Sequence, residues 1–410
     1  MTASARIDAD RVIADLRELQ RRTSDEGGAQ RVAWTETWHE ARAYLGELLA
    51  EIGASSEVDE AGNVWARLDG DDGAGAVAVG SHLDSVPDGG WLDGALGLIT
   101  AVGVLRAHAA DPSGRKPLVL VDWADEEGSR FGFSLFGSSA FAGELSPDAI
   151  AGLTDSDGLA LRDVLAENDV DLARAPECAG RRGGLSAYLE LHIEQGPVLE
   201  AEGVTVAAVE GCQGIERVRF NFTGQAAHAG TTPMAMRRDA GLAAAACAMR
   251  IAAIPDEHGG VATTGDIRLE PGIPTAVAGV AGLSCDLRNP DAGALAAMLS
   301  SARDAATQSA TEQGCELSEE LVFRIAPTKF DPELVAAATE ACEATTGTSY
   351  RITSGALHDA ASVSRVMPAA MIFSPSRGGI SHAKVEDTSE DDLKTAIEAF
   401  GTLVDRVLST

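Results

Sequence analysis

The apolar positions of this chain follow two periods. Residues 8–22 and 37–52 repeat them every three or four residues (Val12, Ile13, Leu16, Leu19; then Ala41, Tyr44, Leu45, Leu48, Leu49). That spacing predicts amphipathic helices. Residues 55–68 alternate instead, as a strand pair turning at 59–62. Short continuous apolar runs at 75–79 (GAVAV), 117–122 (PLVLVD), 187–193 (AYLELHI) and 369–373 (AAMIF) read as buried strands. The apolar segment 95–109 has helical length and lies between the first two of these runs. A strand, helix, strand succession predicts parallel neighbours in one sheet.

Beyond residue 203 the pattern changes. Residues 218–224 (VRFNFTG), 265–269 and 278–288 alternate as half-buried strands, and 239–254 and 294–313 read as helices. This predicts a compact α+β domain. Helices at 333–346 and 388–408 then flank the last buried run. The expected fold is α/β. A discontinuous catalytic domain (1–212 and 329–410), with a mixed, partly parallel sheet flanked by helices, receives an inserted α+β domain (213–328). At 410 residues the chain exceeds one ordinary core, which agrees with two domains.

Composition narrows the partners. The formal net charge is −31, and lysine occurs only as Lys116, Lys329, Lys384 and Lys394. That argues against nucleic acid and anionic membranes. No apolar run is long enough to span a bilayer, and MTASARIDADRVIADL has no apolar core of a signal peptide. The six scattered cysteines contain no C-x-x-C pair. A reduced, cytoplasmic protein without a disulfide framework is expected.

Chemistry collects at the ends of the buried runs. The stretch GSHLDSVPDGGWLDG (80–94) places His82, Asp84, Asp88 and Asp93 among glycines, directly before a helix. Open α/β sheets place their sites there. Glu126 and Glu127 follow the second run, His192 ends the third, and His382 follows the fourth. Histidine and carboxylate ligands without thiolates suit zinc, manganese, cobalt or nickel. Five candidate ligands (His82, Asp93, one of Glu126 and Glu127, His192 and His382) exceed one four-coordinate site with an open position, so spacing alone leaves one ion or two open. One of Glu126 and Glu127 can ligate while the other takes a proton from water, and sequence order does not say which. Asp84, two residues from His82, can share the ion or orient the imidazole. His228 in GQAAHAGTTPM is a turn histidine or an oxyanion donor. Arg288 in CDLRNP is a salt-bridge residue or an anchor for a substrate carboxylate. Gly355 in SGALHDA can offer a backbone N–H at close approach.

These segments resemble a known family. GSHLDSVPDGGWLDG, DEEGSRFG, LELHIEQGPVLE, TGQAAHAGTTPMAMRRDA, SGALHDA and PSRGGISHAKVED run from residue 80 to 387. They are similar to the M20 metallohydrolases, in the branch of N-carbamoyl-L-amino-acid hydrolases, allantoate amidohydrolases and β-ureidopropionases. The resemblance implies two divalent ions per subunit, with Asp93 bridging them. His82 and His192 would hold one, and Glu127 and His382 the other. Asp84 would orient His82 and Glu126 would be the general base. Gln195, His228, Arg288 and Gly355 would contact a small ureido-acid substrate, Arg288 through its carboxylate. The inserted domain would serve as lid and homodimer interface.

The sequence departs from that family in three places. Thr275, in TAVAG, stands where an asparagine usually binds substrate, Leu357 replaces a usual glycine, and Trp91–Leu92 replaces the commoner aromatic before Asp93. The expected reaction is cleavage of the carbamoyl C–N bond of an N-carbamoyl-L-amino acid to amino acid, carbon dioxide and ammonia. Allantoate hydrolysis is the alternative, and a catalytically inactive metal-binding homologue is the alternative of another class.

Overall fold

A computed structural model describes residues 6–68, 75–110 and 116–410. The chain divides into two compact units, Met1–Gly211 with Lys329–Thr410, and Cys212–Thr328.

The first unit is built on a mixed sheet. Its path runs through strands Ala207–Cys212, Ala369–Ser374, Leu185–Ile193, Ala76–His82, Leu118–Trp123, Val64–Leu68 and Ala54–Val58. The four strands from Ala369–Ser374 to Leu118–Trp123 are mutually parallel, and the strands outside them pair antiparallel. Every residue of Ala76–His82 is buried, as a parallel strand covered on both faces requires. Val77, Val79, Leu120, Leu189 and Ile372 share one core with helices Ala9–Thr23, Glu36–Glu51, Ala95–Ala110, Pro332–Thr346 and Glu390–Leu408. Trp65, Trp123, Phe141 and Tyr188 form a separate aromatic cluster.

Local chemistry sets the helix ends. The side chains of Asp8, Thr35 and Ser389 accept from the backbone N–H of Arg11, Trp38 and Asp392, supplying acceptors that a helix start lacks. Helix Ala95–Ala110 is apolar on all sides and almost wholly buried, so it cannot leave the centre of the unit. Among the described residues no helix is long and apolar enough to cross a membrane.

The second unit is a four-stranded antiparallel sheet in the order Val261–Glu270, Val280–Asn289, Gly214–Thr223, Glu316–Ile325. Helices Ala240–Ala252 and Ala292–Gln313 cover one face, over a core that includes Val218, Phe220, Phe222, Leu283 and Met298. One element differs from the sequence expectation. The strand at Glu316–Ile325 went unread because it is an exposed edge with little apolar alternation. The segment around Phe136 forms a seven-residue helix, Phe136–Ala142, buried throughout.

Candidate metal centre

The parallel register brings the candidate ligands to the C-terminal ends of the central strands. His82 is the last residue of its strand and lies opposite Trp123, after which the chain leads into Glu126 and Glu127. His192 pairs with Phe373, and the loop after that strand carries His382. Asp93 sits two residues before helix Ala95–Ala110, where the helix N-terminus favours a carboxylate.

Asp93 is the hub. Its Oδ1 lies 3.3 Å from His192 Nε2 and 3.9 Å from His82 Nε2. Its Oδ2 lies 3.3 Å from His382 Nε2, and that nitrogen is 3.4 Å from Glu127 Oε2. Two groups of ligand type therefore share one carboxylate: His82, Asp93 and His192 on one side, Asp93, Glu127 and His382 on the other.

The donor set fits divalent cations. His82 Nδ1 is 3.1 Å from the Asp84 carbonyl, and His192 Nδ1 is 2.9 Å from the Ile193 carbonyl. A carbonyl only accepts, so each Nδ1 carries a hydrogen, which leaves each Nε2, on the side of Asp93, as the nitrogen that can ligate once it is unprotonated. Two ligands about 2.1 Å from one ion, at a tetrahedral angle, lie about 3.4 Å apart. The separations of 3.3, 3.3 and 3.4 Å match that spacing, and the 3.9 Å from His82 to Asp93 is about half an ångström longer. Glu127 Oε1 is buried without a hydrogen-bond partner among the described residues. A third grouping, Glu190 with His192 and His358, is already satisfied. Ser81 Oγ, Tyr188 OH and the Ala360 N–H engage the Glu190 carboxylate, and Ser354 Oγ lies against His358 Nε2.

The charges are strongly coupled. Burial pulls the His82 imidazole down, but the charges of Glu126, Asp84 and Asp93 carry it well above its usual range. Burial pushes the Asp93 carboxyl up, yet hydrogen bonds from His192 and His382 hold it well below. Glu127 is pushed up to about 8 by burial and by Asp93. His382 is raised to about 9, chiefly by its hydrogen bond to Asp93. Burial, reinforced by Asp359 and Glu127, lifts Glu126 well above the usual carboxylate range despite the opposing charge of His82. These carboxyls crowd together without enough positive charge, which added cations would correct.

Glu126 is buried and belongs to neither ligand grouping; its Oε2 lies 3.8 Å from His82 Nε2. Asp84 binds the two glutamates by their backbone, accepting from the N–H of Glu126 at 3.2 Å and of Glu127 at 3.0 Å. The Asp84 carboxylate is 3.5 Å from His82 Nδ1, farther than its own carbonyl. Gln195, at φ +58, donates from Nε2 to Asp93 Oδ2 at 2.9 Å. Gly355 is exposed, and a Cβ there would meet nothing, so neither space nor backbone requires glycine.

The remaining candidates belong to the second unit. His228 and Thr275 are exposed and neighbouring: His228 pairs with Ala276, and the Ala229 N–H donates to the Thr275 carbonyl at 2.9 Å. Arg288 lies toward the far end of strand Val280–Asn289 and donates from Nε to Asp286 at 2.9 Å.

Two participants escaped the sequence reading. Gly94, at φ +63, lies under the His82 ring, where a Cβ would come within 2.4 Å of Cε1. Its N–H lies 3.3 Å from His192 Nε2. The Asp-Gly pair in WLDG was its only local signal. Glu386, four residues after His382, is buried against the Asp93 backbone.

Comparison with known proteins places this geometry in a family. The chain is 32% identical to the N-carbamoyl-L-amino-acid amidohydrolase of Paenarthrobacter aurescens over 394 residues, covering 95% of this chain and 96% of that protein. It is 32% identical to the allantoate amidohydrolase of Bacillus subtilis (strain 168), covering 93% of each. A hydantoinase/carbamoylase family amidase from Burkholderia multivorans superposes with a TM-score of 0.90 at 33% identity, covering 99% of both chains. The model of peptidase family M20/M25/M40 matches residues 78–406, a span that includes every ligand candidate. The chain therefore belongs to peptidase family M20/M25/M40 and is an amidohydrolase of that family.

Proposed function

We propose that the protein is a cytoplasmic two-metal amidohydrolase that cleaves the carbamoyl C–N bond of an N-carbamoyl-L-amino acid. The observation that carries this reading is the division of Asp93, with Oδ1 toward His192 and Oδ2 toward His382. A carboxylate whose two oxygens face separate ligand groups can serve two ions. In this reading His82 and His192 hold one ion, Glu127 and His382 the other, and zinc or manganese suits the set, with cobalt or nickel as substitutes.

Divalent ions bound there supply Lewis acidity and activate water. Glu126 accepts the proton of the attacking water and passes it to the leaving nitrogen. Its buried setting raises its carboxyl toward the range a general base and acid needs. Asp84 fixes its approach through the Glu126 backbone. Gln195 orients Asp93, and the Gly355 backbone borders the substrate. His228 and Thr275 donate to the carbamoyl oxygen, and Arg288 takes the carboxylate.

The second unit also favours a homodimer. His228 and Thr275 lie before the start of strand Val280–Asn289 and Arg288 near its end, and Val280 to Arg288 alone spans roughly 26 Å of extended chain. One copy of the unit cannot present both sets to one small molecule, and two copies can. Leu242 and Met249 on helix Ala240–Ala252, with Ile267 and Leu269 on the edge strand packed against it, are large exposed apolar side chains suited to that contact.

The test is ammonia release from a panel of N-carbamoyl-L-amino acids, with allantoate alongside. Release from the panel is expected. Release from allantoate alone would reassign the substrate, with Thr275 suited to the bis-ureido acid. Glu126→Gln should keep its metal and lose about 10²–10⁴-fold in turnover. Wild-type turnover in that variant would remove Glu126 as the base. Bound metal without release from any of these substrates would leave a non-catalytic homologue.

A further inference from the structure

We propose that Glu386 is a positioning residue: it ties the loop that carries Asp93 to the loop that carries His382, and so sets the direction of the shared carboxylate. The consequence for metal binding rests on the two-metal reading above.

The contacts are specific. Glu386 is 2% exposed. Its Oε1 accepts from the N–H of Leu92 at 3.1 Å and of Asp93 at 3.0 Å. Its Oε2 accepts from Ser381 Oγ at 2.7 Å. Ser381 Oγ also lies 3.2 Å from Asp93 Oδ2 and 3.2 Å from Gln195 Nε2. The hydroxyl has one proton, and Glu386 is its closer acceptor. Gln195 then supplies the hydrogen bond to Asp93 Oδ2 at 2.9 Å. One carboxylate thus fixes the Asp93 peptide from behind and Ser381, the neighbour of His382, from the side.

The surroundings are shaped for this carboxylate. At Gly90 a Cβ would fall 2.0 Å from Glu386 Cδ and Oε1, so the Asp93 loop passes where only glycine fits. Arg31 is fully buried and donates from Nε to the Leu83 carbonyl at 2.7 Å. Neither of its Nη atoms has a hydrogen-bond partner among the described residues. The charges of Glu386 and Asp93 both act on that guanidinium. A buried cation therefore acts on the clasp, offsetting part of the cost of burying its charge. Glu386 belongs to none of the ligand groupings, and both of its oxygens already accept hydrogen bonds.

The experiment uses full-length, metal-stripped protein titrated with Co²⁺, without substrate, and followed by calorimetry and visible absorption. Steady-state kinetics on the reloaded protein follow. Glu386→Ala should weaken Co²⁺ binding by about 10–100-fold and alter the cobalt absorption band. On reloading it should lower kcat with little change in KM. Glu386→Gln keeps an acceptor for the two N–H groups and should lose far less. Ser381→Ala, a milder change, should weaken Co²⁺ binding in a protein that folds normally. The proposal is overturned if folded Glu386→Ala binds Co²⁺ with wild-type affinity and spectrum, or if Glu386→Gln loses as much as Glu386→Ala. If Glu386→Ala does not fold, wild-type Co²⁺ affinity in Ser381→Ala overturns it. Wild-type protein that takes up no Co²⁺ would instead overturn the metal reading, and the proposal with it.

Discussion

Gly94→Ala probes how closely the backbone approaches His82, a candidate metal ligand. At φ +63 an L-residue pays about 1–2 kcal/mol for the left-handed conformation. The new Cβ would also lie 2.4 Å from His82 Cε1 and 2.5 Å from both ring nitrogens. Carbon atoms rest at about 3.5–4.0 Å, so the ring must retreat by about 1 Å. It has little room, because it is 2% exposed and stacks on His192 at a centroid distance of 5.9 Å. Overpacking of this kind costs about 1–3 kcal/mol, and with the backbone cost the total is about 2–5 kcal/mol. Gly53→Ala isolates the backbone part, since Gly53 has φ +69 and an added methyl there would meet nothing within 4 Å. Urea unfolding of the two metal-free variants should differ by about 1–3 kcal/mol, the cost of moving the ring. A shift near 1 Å exceeds the roughly 0.5 Å tolerance of a binding constellation, so Co²⁺ affinity should fall as well. If Gly94→Ala loses no more stability than Gly53→Ala and binds Co²⁺ like the wild type, the close-approach argument is refuted.

Arg42→Met should destabilise the protein by about 3–5 kcal/mol at pH 8, because it strips the partner from a buried carboxylate. Arg42 donates to Asp122 at 2.8 Å and to the Gly62 carbonyl at 2.7 Å, and burial already pushes the Asp122 carboxyl up to about 6. Without Arg42 that carboxyl rises further, so the loss should be largest at pH 8 and above and shrink as the pH falls toward 6, because Asp122 of the variant protonates first. Urea midpoints of both proteins measured at pH 6 and at pH 8 check the sign. Chelation should lower the melting temperature and added Zn²⁺ or Mn²⁺ restore it, since a ligand at 1,000 times its Kd contributes about 4 kcal/mol. An unchanged scan would argue against a bound divalent ion. Arg288→Ala should raise KM for a carboxylate substrate and spare kcat; an unchanged KM would remove Arg288 from substrate binding.

Much of this molecule is written locally. The apolar run before His82, the Asp-Gly turn after Asp93 and the helical period from 390 to 408 each need only a few neighbouring residues to declare an element. Ligand types at strand ends are legible for the same reason: a buried run followed by a polar, glycine-rich loop marks where a parallel sheet opens to solvent. The edge strand Glu316–Ile325 is not legible, because an exposed edge needs no apolar alternation. Nor are the relations within the centre. That Asp93 turns one oxygen to His192 and the other to His382 follows from three strands meeting in register. The glycine beneath His82 and the carboxylate behind Asp93 act at distances that no local period records; Glu386 and Asp93 are 293 residues apart in the chain. Secondary elements, the two-part organisation and the kinds of group at each strand end are encoded along the chain, through short-range sterics and hydrophobic period. Which atoms face one another is settled in three dimensions, because hydrogen-bond direction and close packing depend on where distant segments come to rest.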